Sequence, residues 1–137
     1  MAALTNYTEN LLLAHLFRTG TFAKPTTLYI GLATAVADAE AGTITEVTGG
    51  SYARIVRNPL DANWDAPAAN NGTTANTASI QFPAATADWG TCTHFFIADA
   101  ITGGNIWMIN ALTSARTITN GTTPSFGAGA LTFQIDN

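Results

Sequence analysis

Charge is what this 137-residue sequence has least of. Only 10% of its residues are charged, against about 25% in an average soluble domain. Its five basic residues, Arg18, Lys24, Arg54, Arg57 and Arg116, are scattered. Neutralising a run of phosphates needs clustered Lys and Arg, so a nucleic-acid partner is excluded as an expectation. The net charge of −4 points the same way. Cysteine is nearly absent too: Cys92 stands alone, so no internal disulfide forms and folding does not depend on an oxidising compartment. No stretch approaches the roughly 20 apolar residues of a membrane helix. The opening MAALTNYTENLLLAHLF lacks a basic leader and is broken by His15, with Arg18 just beyond, so no signal peptide and no membrane partner are expected.

Catalytic groups are equally sparse. Cys92 and His94, at i and i+2 on a strand, would share a face and offer half a zinc site, but no second cysteine completes it and His15 lies in a separate segment. No Gly-x-Ser-x-Gly elbow and no phosphate-binding glycine loop is present; Gly49-Gly50 and Gly103-Gly104 fit neither spacing and lead into strands. Of the nine acids, Asp38, Glu40, Glu46, Asp61, Asp65 and Asp136 fall in loops or at an end. Asp88 and Asp99 bracket one strand, where aspartate more often caps turn N–H groups than moves protons. The expectation is a non-enzyme with no metal and no cofactor.

What is present is a pattern of short strands. Only the start reads as helix, over residues 6–19: Asn6 as cap, Glu9 three residues on, apolar pairs Tyr7/Leu11, Leu12/Leu16 and Leu13/Phe17, and Gly20 as stop. Two uses compete for this helix: covering its own domain's sheet, which is the commoner case, or inserting into a neighbouring subunit. From Pro25 the period becomes strand-like, with Leu28, Ile30 and Leu32 on one face. Val36 to Gly50 reads as a long exposed loop. Ser51 to Asn58 reads as a strand with Tyr52, Arg54 and Val56 on one side, and Ala78, Ile80 and Phe82 alternate before Pro83. His94 to Ala98 is almost continuously apolar, the mark of a strand buried on both faces. Gly103-Gly104 then turns a hairpin into Ile106 to Ile109; Ala111 to Ile118 and Ala130 to Ile135 close the set.

About seven such strands without βα alternation predict a mainly β fold. The expected architecture is an antiparallel β-sandwich or barrel-like sandwich with one N-terminal α-helix, in a single domain 1–137 whose β part spans 25–137. The tryptophans are the remaining candidates. Trp107 belongs in the core; Trp64 and Trp89, in loops, with Tyr52 and Arg54, are candidate interface or packing anchors. Trp64, Trp89 and Trp107 with Tyr29 and Tyr52 are also the residues for a sugar-stacking surface, a carbohydrate reading with no positive signature.

Two runs carry a resemblance. Phe82 to Asn105, FPAATADWGTCTHFFIADAITGGN, together with EVTGGSYAR at Glu46 to Arg54, resembles a widespread family of small bacteriophage proteins, those labelled phage tail fiber proteins. TTLYIGLATA before these runs and GALTFQID after them extend the likeness over most of the chain. The resemblance implies a virion structural protein made in the bacterial host cytoplasm. Its expected partners are copies of itself, as a trimer, and other virion proteins of the tail or fiber. The second reading is a capsid decoration, or cement, protein bound to the major capsid protein; a host-glycan binding module is the third. The family brings no catalytic or metal residues across, and Cys92 stands where a β-branched residue is usual.

Overall fold

The computed structural model describes residues 3–67 and 71–135. Asp136, one of the acids weighed above, lies outside them, as do residues 68–70 of the Asn/Ala-rich segment. The elements are β1 (Ala3–Leu4), α1 (Asn6–Phe17), β2 (Tyr29–Asp38), β3 (Thr43–Glu46), β4 (Ile55–Val56), β5 (Thr73–Ala75), β6 (Ile80–Gln81), β7 (Gly90–Ala98), β8 (Ile106–Ile118), β9 (Ser125–Phe126) and β10 (Thr132–Gln134). The protein is mainly β, its pairings are antiparallel and the sheets do not close into a barrel, as a β-sandwich with one N-terminal helix requires.

The main sheet runs β1-β8-β7-β2-β3, with β4 on β2 beside β3. Strand β7 sits in its middle, and Phe95, Phe96, Ile97 and Ala98 are all buried, which is why this stretch carries no polar alternation. Phe95 and Ile97 face the larger core, with Ile30, Leu32, Trp107 and Ile118. Phe96 and Ala98 face a smaller one, with Ala33 and Ile109. The second layer is two short ribbons, β5-β10 and β6-β9, which bring Ile80, Phe82, Leu131 and Phe133 onto the larger core. Asn76, fully buried, ties the ribbons together. Its Nδ2 donates to the carbonyls of Ala78 and Gly127 at 2.8 and 2.9 Å, and its Oδ1 accepts from Leu131 N at 2.8 Å. A buried amide is tolerated only when its donors and acceptor are filled in this way.

Several expectations are corrected. The helix ends at Phe17 rather than Thr19: Arg18 is already extended, and the returning chain brings Gly20 so close that a Cβ there would lie 2.9 Å from Ala14 Cβ. Its N-cap position is Thr5, not Asn6. The Thr5 carbonyl accepts Glu9 N–H at 3.0 Å, while its hydroxyl turns away from the helix to donate to Ile106 O at 2.6 Å. Val36 to Gly50 is a hairpin rather than a loop. β2 continues to Asp38, whose Oδ1 accepts Ala41 N–H, and Gly42 at φ +70° leads into β3. This hairpin hangs off the sheet edge, where both faces need not be apolar, and so leaves no apolar run in the sequence. Within Ser51 to Asn58 only Ile55–Val56 pairs as strand, because Gly49, Gly50 and Ser51 all take positive φ and turn the chain just before it.

Phe96 packs over Gly31, its partner across the β2–β7 pair. A Cβ on Gly31 would overlap the Phe96 ring, reaching 2.6 Å from Cε1. Gly31→Ala is therefore expected to destabilise the fold by about 1–3 kcal/mol through overpacking. Adding Phe96→Leu should recover part of the loss. Urea unfolding of the two variants checks this; a silent Gly31→Ala would contradict the packing described.

Candidate functional site

The two runs that carry the resemblance meet in space. Gly50 carries no side chain because a Cβ there would lie 2.8 Å from Trp89 Nε1 and 2.9 Å from Ala87 O. Trp89 instead donates its Nε1–H to Gly50 O at 2.8 Å, and Thr86 N donates to the same carbonyl at 3.0 Å. The Trp89 ring is only 5% exposed. It meets Tyr52 edge-on at 5.3 Å, and Tyr52 stacks on Phe82 at 6.3 Å. Trp89, read from sequence as a candidate interface or packing anchor, is enclosed by its own chain and packs within the domain.

Arg54 is also buried, with its side chain 4% exposed. Its Nε and Nη2 donate to the two oxygens of Glu46 at 2.7 Å each, a bidentate pair. Its Nη1 donates to the carbonyls of Ala100 and Gly103 at 2.6 and 2.8 Å, in the turn between β7 and β8. The guanidinium carbon lies 5.0 Å over the Phe96 ring. Hydrogen bonding to Glu46 pushes the Arg54 pKa further up, against the opposing effect of burial. Tyr52 completes the cluster: its hydroxyl donates to Glu46 Oε1 and accepts Leu32 N–H, both at 2.9 Å. Burial, reinforced by the Glu46 charge, drives its pKa far above the ordinary value. Each of these three side chains is bonded within the chain.

Asp99 and Asp88 also accept hydrogen bonds from the chain. Asp99 receives the backbone and side-chain N–H groups of Asn105 at 2.8 and 2.9 Å and Trp107 Nε1–H at 3.2 Å. Partial burial works against its charge, but these bonds prevail and hold the Asp99 carboxyl below its usual range. Asp88 accepts Asn120 N–H at 2.8 Å. Cys92 and His94 do not share a face. The β7–β8 register slips between them, so Cys92 joins Phe95 and Ile97 in the larger core, while His94 follows the alternation of Phe96 and Ala98. Burial raises the Cys92 thiol pKa. Among the described residues no group of three metal-ligating side chains occurs.

A surface remains, on the helix that the sequence offered either to its own sheet or to a neighbouring subunit. Leu13, Leu16 and Phe17 of α1 are 54, 62 and 79% exposed, and only Thr8 of the helix is buried. The helix turns only part of its apolar surface to its own domain: Leu11 packs against the larger core. It is held also by Thr8 Oγ1–H on Trp107 O at 2.8 Å, and by Tyr7 edge-on to Trp107 at 5.4 Å. The signal was in the sequence: Tyr7, Leu11, Leu12, Leu13, Leu16 and Phe17 go most of the way round the helix, and a helix apolar all round is one that is covered all round. Trp64 is half-buried near this end. Its Nε1–H reaches Asn58 O at 3.2 Å, its ring meets Phe133 at 5.9 Å, and it lines an apolar groove of about 300 Å³ beside α1. Of the four anchor candidates, Trp89 and Arg54 are buried within the chain, Tyr52 is half-buried between them, and Trp64 alone borders an open surface.

A family model described as Podophage GP4 fiber I protein gp80 matches residues 3–134. The chain belongs to this fiber protein family. No curated protein matches it. The match runs across both motif segments, the clamp at Arg54 and the exposed helix, so the phage-fiber resemblance read from Phe82–Asn105 and EVTGGSYAR is upheld.

Removing one side of a buried ion pair strands the other, so Arg54→Met is expected to cost about 3–5 kcal/mol, with Arg54→Met/Glu46→Leu less damaging than the single change. Urea midpoints check both. Asp99 adds a pH effect: because its folded pKa lies below the ordinary 3.8, its contribution is complete above that value and is lost as pH falls through the folded one. Thermal midpoints recorded from about pH 6 to pH 2 should fall less steeply at the acid end for Asp99→Asn than for the native chain. An equal acid slope in both would remove Asp99 from the account.

Proposed function

We propose that this protein is a non-enzymatic structural subunit of a bacteriophage virion, associated with the fiber, that works by packing against copies of itself and against other virion proteins. The carrying observation is the uncovered apolar side of α1, with Leu13, Leu16 and Phe17 more than half exposed. A monomer free in water keeps contiguous apolar patches small, and a larger one marks a contact surface. Membership of the fiber family supports a place in the virion, reached after synthesis in the host cytoplasm. The internal bonds of Arg54, Glu46, Tyr52 and Asp99 and the burial of Cys92 support a role without chemistry. The low charge supports a chain whose surface is partly covered in use.

The family speaks for the fiber rather than the head, and copy number separates the two. Quantitative mass spectrometry of purified virions is expected to find a handful of copies per particle, in proportion to the fibers. Hundreds of copies, in proportion to the major capsid protein, would replace this reading with the cement reading. Absence from the particle would end both.

A further inference from the structure

β8 of the main sheet and β9 of the second layer line a common cavity of about 510 Å³, inside the roughly 300–1,000 Å³ of small-ligand sites. Its floor is core: Leu32, Cys92 and Phe95, all buried. Phe126 adds a half-buried ring, 5.8 Å from that of Phe95. One wall is a bulge. Between the pairs Cys92–Arg116 and His94–Ala111, β7 contributes Thr93 alone while β8 contributes Leu112 to Ala115. Leu112, Thr113 and Ser114 therefore have no register partner on β7, and all three line the cavity. The same slip aims a charge inward. Arg116 is the register partner of Cys92, and side chains paired across two strands share a face. Cys92 belongs to the larger core, and so does Ile118, two residues beyond Arg116. The guanidinium thus stands on the core side of the sheet, at the exposed rim of the cavity. It makes no hydrogen bond or ion pair with a described residue. No acidic side chain is among the described residues that line the cavity. Arg54, the other inward arginine, has Glu46.

We propose that this cavity binds a small organic anion, with a flat apolar body against Phe126 and Phe95 and one carboxylate head on Arg116. The proposal goes beyond the packing role and does not depend on it. Charge does the selecting. A guanidinium presents five donors in a rigid fork that matches a carboxylate. A cation would be repelled, and a neutral apolar molecule would fill the floor but leave Arg116 unpaired. Thr113, Ser114 and Ser125 also lie on the lining, and their hydroxyls bond no described group, so they are free to meet further polar atoms of the same ligand. A second use of Arg116 competes: an inward-pointing charge on an edge strand keeps two chains from pairing edge to edge. β1 pairs only Met108 and Ile109 of β8, so such an edge exists here. Edge protection, however, requires no cavity behind the charge, and this one reaches the core.

Two probes of one shape test this: naphthoate and its neutral amide, naphthamide. Each is titrated into the full native chain while backbone amide shifts are followed by NMR. Naphthoate should saturably shift the amides of Leu112 to Thr117 and of Thr122 to Phe126. It should bind about tenfold more tightly than naphthamide, the difference between a charge-assisted and a neutral hydrogen bond. Arg116→Gln, at an exposed position, should lower naphthoate to the level of the amide and leave the amide unchanged. Arg116→Lys should keep part of the preference. Equal binding of acid and amide by the native chain, no saturable shift, or shifts that map elsewhere would each overturn the proposal. So would an Arg116→Gln variant that binds naphthoate as the native chain does. An Arg116→Gln variant that self-associates, beside a native chain that binds neither probe, would give the arginine to edge protection instead. The acid–amide comparison needs only the native chain, so it decides the matter even if a variant fails to fold.

Discussion

The bidentate pair of Arg54 and Glu46 is the contact on which the rest of the molecule is arranged. A buried ion pair adds little net stability, because desolvation offsets most of the attraction. Its effect here is positional. One guanidinium fixes the end of β3 through Glu46, the turn between β7 and β8 through Ala100 and Gly103, and the second face of β7 through Phe96. Tyr52 adds β2 through Leu32 N–H. Charge is rare in this chain, and one of its few cations is spent where five donors in a rigid fork can hold three separate segments.

The family's signature segments owe their composition to this junction. Gly50 is required by the approach of Trp89, Gly31 by the Phe96 ring over it, and Gly104, at φ +71°, by the crowding of Ala100 and Asp99. Polar residues in the same runs close turns. What resembles the density of an active site is the density of a packing junction; the two most exposed large apolar side chains, Leu16 and Phe17, lie elsewhere. These lie on α1, at the margin of the main sheet, where the short strand β1 pairs β8 over two residues.

Much of the fold was legible in the residues, for reasons that also mark where legibility ended. The His94–Ala98 run reads as a central strand because two-sided burial removes polar alternation, and Gly103-Gly104 reads as a turn because positive φ selects glycine. The β2–β3 hairpin did not read, since an edge ribbon leaves no periodic apolar pattern. The Arg54 clamp did not read either: its partners Ala100 and Gly103 are 46 and 49 residues away and contribute backbone carbonyls, which carry no sequence signal. Cys92 and His94 misled because a register slip, set by pairing with β8, broke the alternation between them. The helix misled differently. Its apolar content was visible, but not which part turns to the core: Leu11 packs against it, while Leu13, Leu16 and Phe17 stay exposed.

The claim that Arg54 binds these segments into one unit is tested most directly by native-state hydrogen exchange. Leu32 N–H, held by Tyr52, Val47 N–H, held by Leu32 O, and Asn105 N–H, held by Asp99, report on β2, the end of β3 and the β7–β8 turn. The account predicts that all three exchange through a common opening with the same free energy and the same denaturant dependence. A β7–β8 turn that opens on its own, at far lower free energy than the β2 and β3 amides, would contradict it.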